Sequence, residues 1–381
     1  MSWNYIRFLL LLLSFSVTVS SAENNVGTEN QKWALGPFVR PDKKNPVISP
    51  LETSFYCPMR KAYVKWEESD TFNPAAVLSD GKIVVMYRAE DNSAKGIGQR
   101  TSRIGYAESE DGITMVRRKE PVLYPAEDNN RQYEWNGGCE DPRVVVSEEG
   151  MYVMLYTGWN RDNKNIAVRP RLCVAISNDL LHWEKKGHPF ARSVHPEFRD
   201  MECKSASIIT KIKNGKIVAA KVNGKYWMYF GEQAVCAATS VDLVNWEPVT
   251  DGNGNLLKLI QPRECYFDSQ LTECGPPALL TEDGIVLIYN GKNAVGNKGD
   301  INYPKGTYAA GQILFDADNP VNVVDRLDKP FFWPKADFEK SGQYPDGTVF
   351  TEGLVYKDGK LYLYYGCADS HVAVAVCKYK K

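Results

Sequence analysis

The chain reads as an all-β protein, a five-bladed β-propeller, and three features of its sequence lead there. A short phrase returns five times: a Gly, then a run of apolar and aromatic residues ending near Tyr. It reads Gly81-Lys82-Ile83-Val84-Val85-Met86-Tyr87, Gly150-Met151-Tyr152-Val153-Met154-Leu155-Tyr156, Gly224-Lys225-Tyr226-Trp227-Met228-Tyr229-Phe230, Gly284-Ile285-Val286-Leu287-Ile288-Tyr289 and Gly359-Lys360-Leu361-Tyr362-Leu363-Tyr364-Tyr365. The glycines lie 69, 74, 60 and 75 residues apart. Strand-type text at a long, near-constant period means radially arranged β units, none able to bury its own faces alone. A second phrase follows behind the first: Ser109-Glu110-Asp111, Ser177-Asn178-Asp179 with Trp183, and Ser240-Val241-Asp242 with Trp246. It reads as a tight turn closed by a short polar side chain, with the Trp capping the blade. Thirdly, no sustained helical periodicity or low-complexity tract interrupts the pattern.

The elements follow in order. Arg7 precedes Phe8-Leu9-Leu10-Leu11-Leu12-Leu13, and small residues run on to Val19-Ser20-Ser21-Ala22. Residues 1–22 are therefore expected to be a secretory signal peptide cut after Ala22. The apolar run is too short to span a bilayer comfortably, and no Cys follows the cut. The mature protein is expected to be exported, periplasmic or extracellular, and to be without a membrane anchor after cleavage. The lack of any Asn-x-Ser/Thr sequon leans toward a bacterial exported protein. Residues 23–50 are polar and proline-bearing and read as an irregular lead-in. Residues 51–381 read as one closed catalytic propeller. Each blade has a first strand near the axis, a Gly-marked hairpin and an outer strand. The segment 290–308, rich in Gly, Asn and Lys, reads as a loop at the rim of a site. The last strand, Val372-Ala373-Val374-Ala375-Val376, is apolar enough to be buried. It is expected to close the ring by pairing with the first blade, which would remove an exposed edge.

Composition excludes some partners. The 381 residues carry a net charge of −1, so no basic field exists to hold nucleic acid or an anionic membrane. The 9 Trp and 21 Tyr exceed what a core needs, and they suit sugar rings, whose C–H faces pack on aromatic rings. Nine cysteines are an odd number, and several sit in apolar strand text such as Leu172-Cys173-Val174. They read as buried thiols acting as small hydrophobes. Export permits disulfides, but no pairing can be deduced. The four histidines, His182, His188, His195 and His371, show no metal spacing, so neither a metal nor a cofactor is expected.

Strands nearest a propeller axis should be short and apolar, yet here they carry charge. They read Phe72-Asn73-Pro74-Ala75-Ala76, Gly138-Cys139-Glu140-Asp141-Pro142-Arg143, Cys203-Lys204-Ser205-Ala206, Thr272-Glu273-Cys274-Gly275-Pro276 and Thr351-Glu352-Gly353. Each precedes its Gly marker by a similar distance. Repeat symmetry therefore brings Asn73, Asp141, Lys204, Glu273 and Glu352 toward one axis, and the hairpin ends add Arg88, Glu232 and Asp369. Crowded carboxylates lose solvation and repel one another, so such clusters persist mainly where they act on a substrate. Glu140 and Arg143 are expected to form a structural ion pair instead. Two carboxyl groups facing across a channel are what glycoside cleavage needs. One, with a raised pKa, protonates the leaving oxygen, and the other activates water or attacks carbon.

The chain resembles glycoside hydrolase family 130, the mannoside phosphorylases and β-mannosidases built on five-bladed propellers. The resemblance rests on Phe72-Asn73-Pro74-Ala75, Tyr87-Arg88-Ala89, Ser102-Arg103-Ile104-Gly105-Tyr106-Ala107, Gly138-Cys139-Glu140-Asp141-Pro142-Arg143 and Tyr364-Tyr365-Gly366-Cys367-Ala368-Asp369. These span nearly the whole mature chain, and the Glu-Asp-Pro-Arg block is the most specific. The resemblance implies that Asp141 is the proton donor, relayed through a sugar hydroxyl. It also implies that Asn73, Arg88 and Asp369 hold mannose in the −1 subsite with Lys204 nearby. Phosphorylase members place cationic and His residues around phosphate, including a Leu-His-Arg-Pro run at the third-blade hairpin. This chain reads Tyr229-Phe230-Gly231-Glu232 there. A carboxylate in place of a cation disfavours phosphate, since like charges at about 4 Å repel by about 4 kcal/mol at an effective dielectric near 20.

The expected activity is thus exo-acting, inverting hydrolysis of β-1,2-linked mannosides, an oligosaccharide substrate. Asp141 would be the acid, and either Glu232 or Glu273 would activate water. The alternative enzyme is a β-mannoside phosphorylase making mannose 1-phosphate, against which the export signal argues. A non-catalytic sugar-binding propeller would have no need of the acids. A related five-bladed arabinanase or fructosidase requires an acidic pattern not found here. Aglycone preference and oligomeric state have no readable code.

Overall fold

The computed structural model describes residues 31–161 and 169–379. The expected signal peptide lies outside them. The fold is all-β: the described residues hold one four-residue helical turn, Arg131–Glu134, and two short 3-10 turns.

Five antiparallel meanders follow one another. Their second strands are Lys82–Glu90, Tyr152–Asn160, Lys225–Phe230, Ile285–Lys292 and Lys360–Cys367, the Gly-marked phrases of the sequence. Three of the markers sit in tight two-residue turns of Asp or Asn followed by Gly. Asp80 and Gly81 have φ of 48° and 77°, Asn223 and Gly224 52° and 79°, Asp358 and Gly359 50° and 75°. Two successive left-handed residues match the right-handed twist of a hairpin, which is why the marker is Gly.

Successive side chains on a strand point to opposite faces, and here both faces are buried, against different neighbours. In the first meander Val84 and Met86 pack with Met154 and Tyr156 of the second, while Ile83, Val85 and Tyr87 pack with Tyr362 and Tyr364 of the fifth. Val153 and Leu155 meet Met228 and Phe230 of the third. Tyr229 meets Leu287 and Tyr289 of the fourth, and Val286 and Ile288 meet Leu361, Leu363 and Tyr365 of the fifth. Five cores therefore alternate with five meanders, and the last returns to the first. Each such side chain contributes roughly 1.5–3 kcal/mol by leaving water. Short parallel pairings also join neighbours, Ser102 to Gly138 and Ile209 to Ala278, so hydrogen bonding does not divide the strands into five separate sheets.

The Ser-x-Asp turns form as read. Ser177 Oγ accepts the Leu180 N–H at 2.9 Å, Asp179 Oδ1 accepts the His182 N–H at 2.8 Å, and Trp183 Nε1 donates to Leu180 O at 2.9 Å. Ser240, Asp242 and Trp246 repeat the arrangement.

Two expectations change. The last strand, His371–Lys378, does not take the first blade as its outer neighbour. It pairs with the lead-in: Val39 exchanges backbone hydrogen bonds with Val376 at 2.9 and 2.8 Å, and Ile48 does so with Val372 at 3.2 and 2.9 Å. Asn45 bridges between them through Val374. The lead-in thus gives the fifth meander the outer strand that Glu184–Gly187, Trp246–Pro248 and Val323–Arg326 give to the second, third and fourth. The loop expected at 290–308 is also shorter, because Ile285–Lys292 stays paired through Lys292 and the next strand starts at Tyr308. Gly291 is paired there because Asp268 crosses it so closely that an added Cβ would lie 2.6 Å from the Asp268 Cβ. All nine cysteines are unpaired thiols, seven of them buried, with Cys265 exposed.

Candidate active site

The first strands of three meanders slip in register near the axis. The slips fall between Phe72 and Pro74, between Glu140 and Arg143, and between Thr351 and Gly353. The residues set apart are Asn73, Asp141 with Pro142, and Glu352. A bulge re-aims a side chain and bends the strand. Asn73 and Asp141 adopt φ of 44° and 49°, and Asp369, in the turn beyond Lys360–Cys367, adopts 52°. Such backbone costs on the order of 1–3 kcal/mol per residue and collects at functional sites. Gly366 makes room for it, since a Cβ there would lie 2.3 Å from Asn73 Oδ1.

Six of the residues picked from the sequence, Asn73, Arg88, Asp141, Lys204, Glu273 and Asp369, line one cavity of about 180 Å³. Arg88 is its electrostatic centre. Its guanidinium lies 2.6 Å from Glu90, 2.9 Å from Glu140 and 3.1 Å from Asp141, over the Phe72 ring at 4.5 Å. Asn73 Nδ2 donates to Asp141 Oδ1 at 2.9 Å. On the other side Lys204 Nζ stands 3.3 Å from Glu232 and 3.6 Å from Glu273. Ser205 Oγ donates to Glu273. A backbone bridge pairs Glu232 with Glu273. Glu273 is nearly sealed at 1% side-chain exposure, whereas Glu232 is 34% exposed. Gln343 Nε2 donates to Glu90 Oε2 at 3.2 Å and to the Asp369 carbonyl at 3.1 Å. Phe72, Trp159, Tyr308, Tyr344 and Phe350 supply aromatic walls, with Tyr308 edge-on to Tyr344 at 5.4 Å.

Charge states follow from these contacts. Burial pushes Glu140 up to about 7, against the pull of Arg88 and with repulsion from Asp141. Burial likewise pushes Asp369 up to about 7. Burial raises Glu273 too, opposed by Lys204 and reinforced by Glu232. Asp141 goes the other way. Burial would raise it, but Arg88, Lys204 and Arg143 together outweigh burial and hold it below the usual carboxylate range. Lys204 is held well protonated, because Glu273, Glu232 and Asp141 outweigh its own desolvation.

The raised pKa expected of a lone acid therefore belongs to the neighbours of Asp141 and not to Asp141 itself. The expected Glu140–Arg143 pair does not form either. Glu140 turns to Arg88, and Arg143 pairs with Glu352 at 2.9 Å. Glu352 does not line the cavity; it lies beneath, fully buried. Sequence reading missed Glu90, Trp159 and Gln343. Glu90 is two residues beyond Arg88 on the same strand and so on the same face. Trp159 ends the second meander's hairpin as Arg88 ends the first's. Gln343 lies in a connecting segment with no repeat to locate it. A larger cavity of about 840 Å³ adjoins residues 32–39 and 376–379, but its acids, Glu282 and Asp283, are exposed turn residues. Among the described residues, no group of three or more His, Cys, Asp or Glu is placed to hold a metal ion.

Comparisons with known proteins agree on the lineage. A glycoside hydrolase family 130 model, described as beta-1,4-mannooligosaccharide phosphorylase, matches residues 39–381. A 1,2-beta-oligomannan phosphorylase of Thermoanaerobacter sp. (strain X514) is 32% identical over 324 residues, covering 84% of this chain and 94% of that protein. A solved glycosyl hydrolase from Bacteroides ovatus is 56% identical with a TM-score of 0.88, covering 92% of this chain and 96% of its own. Another solved structure, 58% identical with a TM-score of 0.89 and the same coverage, is described as follows: the family of mannoside phosphorylases contains glycoside hydrolases that target beta-1,2 mannosidic linkages in Candida mannan.

Proposed function

The chain belongs to glycoside hydrolase family 130, and from that membership we propose that it is an exported, exo-acting, inverting β-mannosidase hydrolysing β-1,2-linked mannosides on a five-bladed propeller. The ring of five cores supports the propeller, and the leader-like residues 1–22 support export.

One observation carries the hydrolytic reading. Five carboxylates line the cavity, Glu90, Glu140, Asp141, Glu273 and Asp369, against two cations, Arg88 and Lys204. Each cation already lies beside at least two carboxylates. Phosphate would enter an anionic pocket whose described cations are occupied, whereas a neutral sugar offers hydroxyl donors to the same carboxylates. The cavity is also smaller than the roughly 300–1,000 Å³ that houses drug-sized ligands, which suits one terminal ring.

In the reaction the bond from C1 to the leaving oxygen breaks and that oxygen gains a proton from the Asp141 side. A water loses its proton to Glu232 or Glu273 and adds its oxygen to C1. Asp141, ionised beside Arg88, acts with Glu140 and Asp369, since such close groups titrate as a set. They hold the proton near neutral pH, and Asp141 passes it on, through a sugar hydroxyl as the family resemblance implies.

The test is to incubate the purified protein with β-1,2- and β-1,4-mannobiose, with and without phosphate. Free mannose from the β-1,2 substrate, first appearing as the α-anomer and indifferent to phosphate, is the expected result. The Thermoanaerobacter relative favours phosphorolysis as the second reading. Mannose 1-phosphate formed only with added phosphate would establish that reading instead.

A further inference from the structure

We infer that Arg143 is a positioning residue that sets the spacing between the acid side and the water-activating side of the pocket without touching the sugar. The inference rests on the roles proposed above for Asp141 and Glu273. Arg143 is 2% exposed and lies beneath the cavity, outside its lining. Its Nη1 donates to the Asp141 carbonyl at 3.0 Å. Its Nη2 donates to the Cys274 carbonyl at 2.9 Å, and its Nε reaches the Gly275 carbonyl at 3.4 Å. Glu352 Oε1 stands 2.9 Å from Nη2. One side chain thus ties together three meanders: its own bulge, the strand carrying Glu273, and the bulge of the fifth.

The choice of partners separates this from an ordinary buried ion pair. Glu352 alone would answer the charge of Arg143. The remaining donors instead hold the backbone of Asp141 itself and of the two residues that follow Glu273. A guanidinium is planar and presents its N–H groups in a fixed fork, so it fixes the distance between the strands it joins. A lysine ammonium, with one rotatable head, can keep the charge beside Glu352 but cannot span both strands. The spacing matters because inversion requires room for a water between the two carboxyl groups and the sugar. A displacement of about 1 Å at a reacting group costs about 10²-fold in rate.

The experiment compares wild type with Arg143→Lys and Arg143→Ala, measuring kcat and KM on the β-1,2 disaccharide together with thermal unfolding. Both variants are expected to lose about 10²-fold in kcat with KM little changed, because the residues facing the sugar are intact. Added guanidinium ion is expected to restore part of the kcat of Arg143→Ala. If Arg143→Ala does not fold, Arg143→Lys carries the test. Wild-type kcat in folded Arg143→Lys would overturn the inference. So would a loss of activity that only tracks the unfolded fraction, or guanidinium raising the unfolding temperature of Arg143→Ala without raising kcat. The wild-type product, assayed first, separates the two claims. Mannose 1-phosphate would refute hydrolysis, and the ratio of variant to wild-type kcat would still decide the role of Arg143.

Discussion

Replacing Arg88 by Met probes the electrostatic arrangement of the pocket most directly. The substitution keeps an unbranched side chain of similar reach over Phe72 and removes the charge. It strands Glu90, Glu140 and Asp141, which lie 2.6, 2.9 and 3.1 Å from the guanidinium. Removing one partner of a buried ion pair typically costs about 3–5 kcal/mol, because the other charge is left uncompensated. With Arg88 only 8% exposed, solvent screens little of this, and a loss of about 3–5 kcal/mol at pH 8 is expected. That corresponds to a fall in melting temperature on the order of 10 °C. The deficit must also depend on pH. Glu140 is already pushed up to about 7 with Arg88 present, and without it the folded pKa values of Glu140 and Asp141 rise further. The native state then binds more protons than the unfolded one above about pH 4, so its stability falls as pH rises through the raised folded pKa. At pH 5 the stranded groups are largely neutral and the deficit shrinks. Denaturant unfolding of both proteins at pH 5, 6, 7 and 8 measures this. A deficit that is flat across that range, or below about 1 kcal/mol at pH 8, would refute the assignment of Arg88 as counter-charge to this cluster.

Other outcomes follow from the same geometry. Asp141→Asn should abolish nearly all turnover while mannose still binds, as read by calorimetry. Glu232→Gln and Glu273→Gln should each slow hydrolysis, by on the order of 10²–10⁴-fold for whichever is the base; if neither does, the base lies elsewhere. Gly366→Ala should displace Asn73, whose Oδ1 would sit 2.3 Å from the new Cβ. Activity should then fall more than stability, and equal falls would count against a role for Asn73. Native protein should show one rapidly reacting thiol, Cys265, of its nine cysteines. Several fast thiols, or fewer than nine after denaturation and no reductant, would contradict the buried, unpaired arrangement.

Much of the site was legible because repetition conveys position. The inner strands recur at one offset from each Gly marker, so Asn73, Asp141, Lys204 and Glu273 could be superposed without knowing any angle. Arg88, Glu232 and Asp369 share a second offset, the hairpin end. Gln343 has no counterpart in the other meanders and gave no signal. Glu352 shares the offset and still misses the cavity, because its bulge turns the carboxyl down toward Arg143.

By itself the amino-acid order determined the strand phrases, the marker turns and the alternation that makes both faces of each second strand apolar. These depend on neighbours a few residues away, through backbone geometry and a two-residue side-chain period. The tertiary structure alone decided which charge faces which. Arg143 meets Glu352 and not Glu140, Arg88 takes three carboxylates, and Asp141 ends up more acidic than its neighbours. Coulomb interaction and desolvation depend on distances across the axis between side chains far apart in sequence. A pattern read along one strand contains no term for those distances. The closing of the last strand by the lead-in was equally hidden, since an edge is defined by what it lacks in space.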